Sequence, residues 1–171
     1  MKIVTFDLSL TAPGCCVDGA ADTFKVPSDS RGMGRIHLIQ QWAIGLSRDA
    51  DLVGIEGYSF GSKGAAVVNI GELGGVIRYA LWREGVEYVD IPPSCLKKFA
   101  AGRGDAPKDH VLQAGVMKSG HVFADHNACD AWWLWVMTVT HYEPDDARLP
   151  SVPKLNLTAL EKVEWPVLKE G

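Results

Sequence analysis

The 171-residue sequence has little of what marks secreted, membrane-spanning or strongly basic proteins. Its four cysteines include the adjacent pair Cys15 and Cys16, so no disulfide framework is evident. No apolar run approaches the roughly 20 residues that span a bilayer, and the first residues lack a basic-then-apolar signal pattern. We therefore expect a cytoplasmic protein without a membrane segment. The net charge of −4 argues mildly against a general nucleic-acid binder, although binding depends on local patches.

The composition is that of one compact domain with a short tail. Hydrophobic residues make up 47% of the chain and charged residues 22%, which are ordinary values for a soluble globular domain. Four prolines follow Glu143, so that the last part of the chain is predicted to be mostly extended. We therefore predict a domain over residues 1–143 and a tail over residues 144–171 that packs on the domain or extends from it.

The order of predicted elements is typical of an α/β fold. Three short apolar runs separated by turns, KIVTF, GCCVDG and DTFKVP, predict a meander of strands. Alternating helices and strands follow: helices over residues 32–48, 63–83, 95–101, 107–118 and 127–141, with the strands DLVGIEG and VEYVDIP between them. This order predicts one mixed sheet flanked by helices.

Three acidic residues lie at the edges of these elements. Asp7 and Glu56 each end an apolar strand, and Asp130 lies near the start of the last apolar helix. Carboxylates are costly in such places unless a cation offsets their charge, and Mg²⁺ prefers oxygen ligands. Two of the acids also suit a purely structural role, Asp7 in a turn and Asp130 at the positive end of a helix dipole. A structural role explains Glu56 less well, because Glu is disfavoured at the end of an apolar strand.

A basic segment and an aromatic loop are candidates for binding a polyanion. The basic residues are Lys97, Lys98, Arg103, Lys108 and Lys118. A GxG turn among them favours phosphate binding, although Lys-rich segments are more commonly solvated helix faces. Tyr58 and Phe60 follow Glu56 in the loop GYSFGSKG, where they can stack on a nucleobase or pack against the core.

Four segments, in order, resemble the bacterial RuvC Holliday junction resolvases. They are FDLSLTAPG, GIEGYSFGSKG, IPPSCLKKFAAGRGDAPKDHV and NACDAWWLW. The blocks GYSFGSKG, IGELGGVIRYALW and ALEKVEWP look closer still to the RuvC-like resolvases of bacteriophages. The resemblance implies a ribonuclease H-like fold with a five-stranded mixed sheet flanked by helices, in which the first and fourth strands are parallel neighbours.

The resemblance also implies an activity. The implied activity is that of a Mg²⁺-dependent endonuclease, for which Mn²⁺ can substitute. Such an enzyme cuts four-way junctions, forks or flaps and leaves 5′-phosphate ends. Asp7, Glu56 and Asp130 align with the acids that hold two metal ions, and Lys97 and Lys108 align with lysines beside the scissile phosphate. A homodimer is implied as well, because a symmetric junction needs two cuts. The helix over residues 63–83 does not establish that dimer, since its stripe of Ile70, Leu73, Ile77 and Leu81 is more often core than interface.

The sequence departs from the family at a fourth ligand, an Asp or His three residues before the last acid. That position is Asn127, whose amide can ligate Mg²⁺ but carries no charge and cannot act as a base. Asp125 and His126 are alternatives, and Asp125 can equally be the N-cap of the helix. The sequence leaves this choice open, with Asp125 slightly favoured as a participant in the site.

Two other functions are compatible with the first acid. One is a branched-DNA-binding module that does not cut, in which Asn127 marks a lost site. The other is an actin-like ATPase, a fold that also opens on a strand-end Asp. The ATPase needs two such domains, which 171 residues exclude in practice.

Overall fold

A single mixed sheet forms the centre of the protein. The computed structural model describes residues 1–58 and 65–168, with only the backbone of residues 65–67. The strands are β1 (Ile3–Asp7), β2 (Gly14–Val17), β3 (Ala20–Thr23), β4 (Leu52–Glu56) and β5 (Tyr88–Ile91), in the order β3-β2-β1-β4-β5. β1 is antiparallel to β2 and parallel to β4, and β4 is parallel to β5. The predicted five-stranded mixed sheet with parallel first and fourth strands is therefore confirmed.

The helices follow the predicted order. They are α1 (Gly32–Ser47), α2 (Ala65–Arg83), α3 (Pro93–Ala101), α4 (Lys108–Ser119), α5 (His126–Tyr142) and the short α6 (Lys154–Leu157), and a 3₁₀ turn spans Leu160–Lys162. The predicted third strand, DTFKVP, was placed too far along the chain, because β3 begins at Ala20 and ends at Thr23. Beyond it the chain bonds to the carbonyls of Pro13 and Thr11, and Pro13 has no N–H with which to continue the ladder.

Side chains alternate between the two faces of β1, and each face has its own core. Val4 and Phe6 pack on the side of α1 and α2, whereas Ile3 and Thr5 lie on the side of α5. The α5 helix is buried along most of its length, from Ala128 to Val139. The tryptophans of α5 are at most 5% exposed, as expected for core residues. The α5 helix is therefore a central element of the fold.

The tail after Glu143 packs on α3 and α5. The side-chain amide of Asn156 donates a hydrogen bond of 2.9 Å to the carbonyl oxygen of Phe99 in α3. Trp165 stacks on His141, with ring centroids 4.4 Å apart, and Ala159 is fully buried. The tail therefore completes the core on this side of the sheet as far as residue 168. Among the described residues, none of the helices combines the length and apolar character required to cross a bilayer.

Candidate active site

The register of β1 and β4 brings Asp7 and Glu56 together. Phe6 is paired with Ile55 in this parallel ladder, so that the next residue of each strand, Asp7 and Glu56, lies at the same edge of the sheet. Neighbouring strands are about 4.8 Å apart, and residues two apart share a face. Both carboxylates therefore project toward α5, on the same side as Thr5. Carboxyl ends of parallel strands are where α/β sheets bind their ligands.

The α5 helix carries Asp130 to this edge. Gly14 of β2 is paired with Asp7, and the first turn of α5 lies directly on Gly14. A Cβ atom at Gly14 would lie 2.0 Å from the main-chain oxygen of Asn127, so only glycine allows this approach. Asp130 is the fifth residue of the helix, so it lies beyond the first turn. The first turn itself contains no acidic residue. The helix dipole consequently does not explain an acid at this position.

The carboxyl groups of Asp7, Glu56 and Asp130 repel one another at a largely buried edge of the sheet. Burial, followed by the charge of Glu56 and a hydrogen bond with it, raises the pKa of Asp7 well above its usual value, and Asp130 adds to the effect. Burial and the charge of Glu56 raise the pKa of Asp130 to about 7. Asp7 is 5% exposed and Asp130 is 8% exposed. Such a cluster concentrates negative charge, which a divalent cation would offset.

The donor set fits Mg²⁺. It consists of carboxylate oxygens, which a hard divalent cation prefers, and Mg²⁺ needs only one or two carboxylates because it retains several waters. Among the described residues, no group of three or more acidic, histidine or cysteine side chains is already arranged to hold a metal ion. The charge of Glu56 raises the pKa values of both Asp7 and Asp130, and Asp130 adds to the rise at Asp7, so the three side chains lie close enough to interact. Asp7 and Glu56 would hold the cation from the sheet, and Asp130 would hold it from the helix.

Two of the predicted lysines lie near these acids. The positive charge of Lys108, the first residue of α4, lowers the pKa values of Asp7 and Asp130 against the stronger effect of burial. The charge of Lys97 in α3 acts on Asp130 in the same direction. The charges of both lysines therefore act on the acids at this edge of the sheet.

The remaining basic residues lie elsewhere. Arg103 forms a two-pronged ion pair with Asp105, at 2.7 and 2.8 Å, on the exposed turn between α3 and α4. Lys98 is half-buried, and its charge acts on Cys95. Lys118 lies ten residues after Lys108, about 15 Å along the helix, and donates a hydrogen bond to the carbonyl of Ser151 in the tail. The structure therefore does not bring Lys118 to the acids.

The candidates for the fourth ligand have structural partners of their own. Asp125 is the N-cap of α5, and its Oδ1 atom accepts hydrogen bonds from the main-chain N–H of Ala128 and the hydroxyl of Thr23, both at 2.9 Å. Asn127 donates from Nδ2 to the carbonyl of Ala12 at 2.7 Å. His126 faces Asp109, with Nε2 3.5 Å from Oδ1. The cap role of Asp125 is thus present in the structure, and a metal role for it stays a prediction.

Tyr58 packs against α2 beside Glu56. Its ring lies 4.5 Å from the guanidinium carbon of Arg78, and its hydroxyl accepts a hydrogen bond of 3.1 Å from the same group. Arg78 is in turn paired with Asp90 on β5. Tyr58 as a whole is 38% exposed, and stacking of its ring on a base stays a prediction. Phe60 lies outside the described residues.

Two contacts near the site had no strong signal in the sequence. A single arginine in an apolar helix, such as Arg78, forms no recognisable motif. Thr5 is also inconspicuous, because threonine is common in strands for reasons of packing. Its position two residues before Asp7 was the only available sign that it shares the face of the acids.

Comparisons with known proteins agree on the fold. No family model matches the chain, and no curated protein matches its sequence. Among solved structures, the chain is similar to a Thermus thermophilus RuvC structure, with 20% sequence identity, a TM-score of 0.64, and 83% of this chain and 96% of that chain covered. It is also similar to T. thermophilus RuvC in complex with a Holliday junction substrate, with 18% identity, a TM-score of 0.64, and 90% and 99% covered. The chain therefore has a RuvC-like, ribonuclease H-like fold.

Proposed function

We propose that this protein is a Mg²⁺-dependent endonuclease that resolves four-way DNA junctions. The observation that carries the proposal is the meeting of Asp7, Glu56 and Asp130 at the carboxyl edge of the sheet, with Lys97 and Lys108 beside them. The similarity in fold to a RuvC structure in complex with a Holliday junction substrate supports this choice of substrate. Forks and flaps are the other branched substrates to compare.

The residues divide the reaction between them. Together these residues would hold two Mg²⁺ or Mn²⁺ ions, which would supply an activated water and stabilisation of the leaving oxygen for an in-line displacement at phosphorus. Asp7 and Glu56 provide carboxylate oxygens from the rigid sheet, and Asp130 provides them from the helix. Lys108 neutralises the scissile phosphate as charge builds on its oxygens. Cleavage leaves a 5′-phosphate and a 3′-hydroxyl.

The DNA backbone follows the basic side chains of α3 and the turn after it. Lys97 and Lys108 contact the scissile phosphate, and Lys98 and Arg103 contact phosphates farther away, which supplies affinity rather than sequence reading. Tyr58 stacks on a base at the branch point. Lys118 is left out of this path, because it lies at the far end of α4 and bonds to the tail.

We also propose that the protein acts as a homodimer through the outer face of α2. Leu73, Ile77 and Leu81 of this helix are fully buried, so the predicted stripe is core. The opposite face is apolar and open: Val68, Tyr79 and Trp82 are 62, 61 and 69% exposed. Between them Gly71 and Gly75 have open space above them, which lets a second helix approach closely. A second copy would cover this face and supply the second cut.

A junction cleavage assay tests the proposed activity. Labelled four-way junction, fork and flap are incubated with the protein in Mg²⁺ and in Ca²⁺. We expect cleavage of the junction in Mg²⁺ alone, and its loss in Asp7→Asn with binding in Ca²⁺ retained. Binding without cleavage under any divalent metal would overturn the proposal in favour of a module that does not cut.

Sedimentation tests the dimer. We expect the wild-type protein to sediment as a dimer at micromolar concentration, and Trp82→Glu to sediment as a monomer. Met117→Glu is the matched control, since Met117 is 77% exposed on α4 and lies outside the proposed interface. A wild-type monomer, or an unchanged dimer in Trp82→Glu, would contradict this interface.

A further inference from the structure

A buried hydrogen bond joins the two elements that carry Asp7 and Asp130. The hydroxyl of Thr5 in β1 donates to the main-chain oxygen of Ala131 in α5, at 2.6 Å. Thr5 is fully buried, so no water competes for this contact. Thr5 precedes Asp7 by two residues on the same face of the strand, and Ala131 directly follows Asp130. The bond therefore lies immediately beneath the candidate site.

The carbonyl of Ala131 does not need Thr5 to be satisfied. It lies inside α5, where it also accepts the main-chain N–H four residues later. The threonine hydroxyl is thus a second donor that reaches the helix from the sheet. Apolar packing is non-directional and by itself permits a helix to slide, whereas this hydrogen bond has a fixed length and direction.

The surroundings hold Thr5 in one place. Gly54 is its neighbour on β4, and a Cβ atom there would lie 2.9 Å from the Thr5 methyl carbon and 3.2 Å from the hydroxyl oxygen of Thr138. The threonine is therefore packed tightly against β4 on one side and bonded to α5 on the other. Close packing of this kind leaves little freedom to re-form the hydrogen bond at another height.

We infer that Thr5 is a positioning residue, whose hydrogen bond to Ala131 sets the height of Asp130 above Asp7 and Glu56 and so sets the affinity of the site for divalent cations. The inference rests on the proposed function, which assigns a cation to these acids. Thr5 does not touch the reacting atoms. It acts through the helix, as supporting hydrogen bonds do around metal ligands in general.

Replacing Thr5 with valine should change the height of Asp130 above Asp7 and Glu56. A methyl group requires about 3.3 Å or more from a carbonyl oxygen, so a valine methyl in place of the hydroxyl would push α5 away from the sheet. Serine keeps the hydroxyl at nearly the same place. Thr138 offers the matched control, because it is equally buried on α5 but donates within its own helix, to the Leu134 oxygen at 2.8 Å. Thr138→Val removes a buried hydroxyl without removing a link to the sheet.

The test measures Mn²⁺ affinity by calorimetry in Thr5→Val, Thr5→Ser, Thr138→Val and wild type, with the melting temperature of each metal-free protein beside it. We expect Thr5→Val to bind Mn²⁺ about tenfold more weakly than wild type, the low end for such supporting contacts, and the other two variants to bind like wild type. Melting temperatures identify any variant that fails to fold; if Thr5→Val does, Thr5→Ala, which lacks the hydroxyl but adds no clash, takes its place, with weaker Mn²⁺ binding again expected.

Three results would count against the inference. Equal Mn²⁺ affinity in Thr5→Val and wild type would overturn it and leave the proposed function standing. An equal loss of affinity in Thr138→Val would overturn it by showing a general effect of stability. A wild-type protein that neither binds Mn²⁺ nor cuts a junction would overturn both the inference and the proposed function.

Discussion

The main-chain oxygen of Asn127 packs against the backbone of Gly14, so closely that no side chain could be accommodated at position 14. Gly14 is paired with Asp7 across the β1–β2 ladder. The contact therefore places the start of α5 beside the first acid. It is a close backbone approach between the sheet and the helix near the site.

Gly14→Ala should disturb both folding and cleavage. The new Cβ atom would lie 2.0 Å from a main-chain oxygen, which cannot rotate away, so α5 must shift. We expect a loss of about 1–3 kcal/mol in the free energy of unfolding, measured by urea denaturation, and a loss of Mg²⁺-dependent cleavage. Gly45→Ala is the control, since this exposed position in α1 has open space and should gain up to about 1 kcal/mol. Equal stability of the two variants would contradict the proposed close contact.

The metal-free protein should lose stability as the pH rises. The native pKa of Asp130 is raised from 3.8 to about 7, so the folded state keeps a proton that the unfolded chain has already lost. Unfolding then releases protons between these values, and the free energy of unfolding falls across this window as the pH rises. Asp7, whose native pKa is also raised, adds to the trend.

Thermal melting in a chelator checks this trend. We expect the wild-type melting temperature to fall between about pH 4 and about pH 7, and Asp130→Asn to show a flatter dependence, because the difference follows the titration window of Asp130. Excess Mg²⁺ should restore stability at the upper end of the range. A pH dependence in Asp130→Asn identical to that of wild type would contradict the assignment.

Lys108→Gln should slow cleavage and shift its pH dependence upward. Removing this charge removes a favourable interaction with the carboxylate forms of Asp7 and Asp130, so both acids titrate at higher pH. The loss of a group facing the phosphate should reduce cleavage about 100-fold. The logarithmic salt slope of junction binding should also fall by about one charge. Lys118→Gln is the control, because Lys118 lies on the same helix but bonds to the tail, and it should change neither the cleavage rate nor the salt slope of junction binding. An equal effect of the two substitutions would contradict the different roles given to Lys108 and Lys118.

Asp125→Asn separates the cap from the proposed metal role. Asparagine caps helices as well as aspartate, so α5 should keep its stability, whereas any contribution of charge to the site is lost. We expect weaker Mg²⁺-dependent cleavage at unchanged melting temperature. Asp125→Ala should in addition cost about 1 kcal/mol in the free energy of unfolding. Unchanged cleavage in Asp125→Asn would assign Asp125 to the cap alone.

The sequence was sufficient to predict most of the elements and to single out Asp7, Glu56 and Asp130, whose roles in catalysis and metal binding stay predictions. Strands such as β1 and β4 are short apolar runs bounded by turns, and an acid at the end of each conflicts with its surroundings strongly enough to be noticed. The positions of Lys118 and Tyr58 could not be predicted in this way. Each depends on a partner distant in sequence, Ser151 for the lysine and Arg78 for the tyrosine, which no local pattern contains.

Thr5 and Gly14 illustrate the same limit at the site. Their importance comes from tertiary contacts with Ala131 and Asn127, more than 100 residues later in the chain. A threonine and a glycine in short strands are locally unremarkable, since packing or a close backbone approach accounts for either. Only the packing of α5 on the sheet shows what each of them does.

The late position of α5 in the chain has a consequence for the order of folding. Asp7 and Glu56 can pair as soon as β1 and β4 associate, but Asp130 joins them only after α5 has docked, and α5 is covered by a tail that comes last. Such distant contacts form slowly, because the loops between them must close first. A newly synthesised chain in which Asp7 and Glu56 are already paired therefore still lacks Asp130 at the site until α5 docks. Under the proposed function, the capacity to cut DNA would therefore appear at the end of folding, together with the completed core.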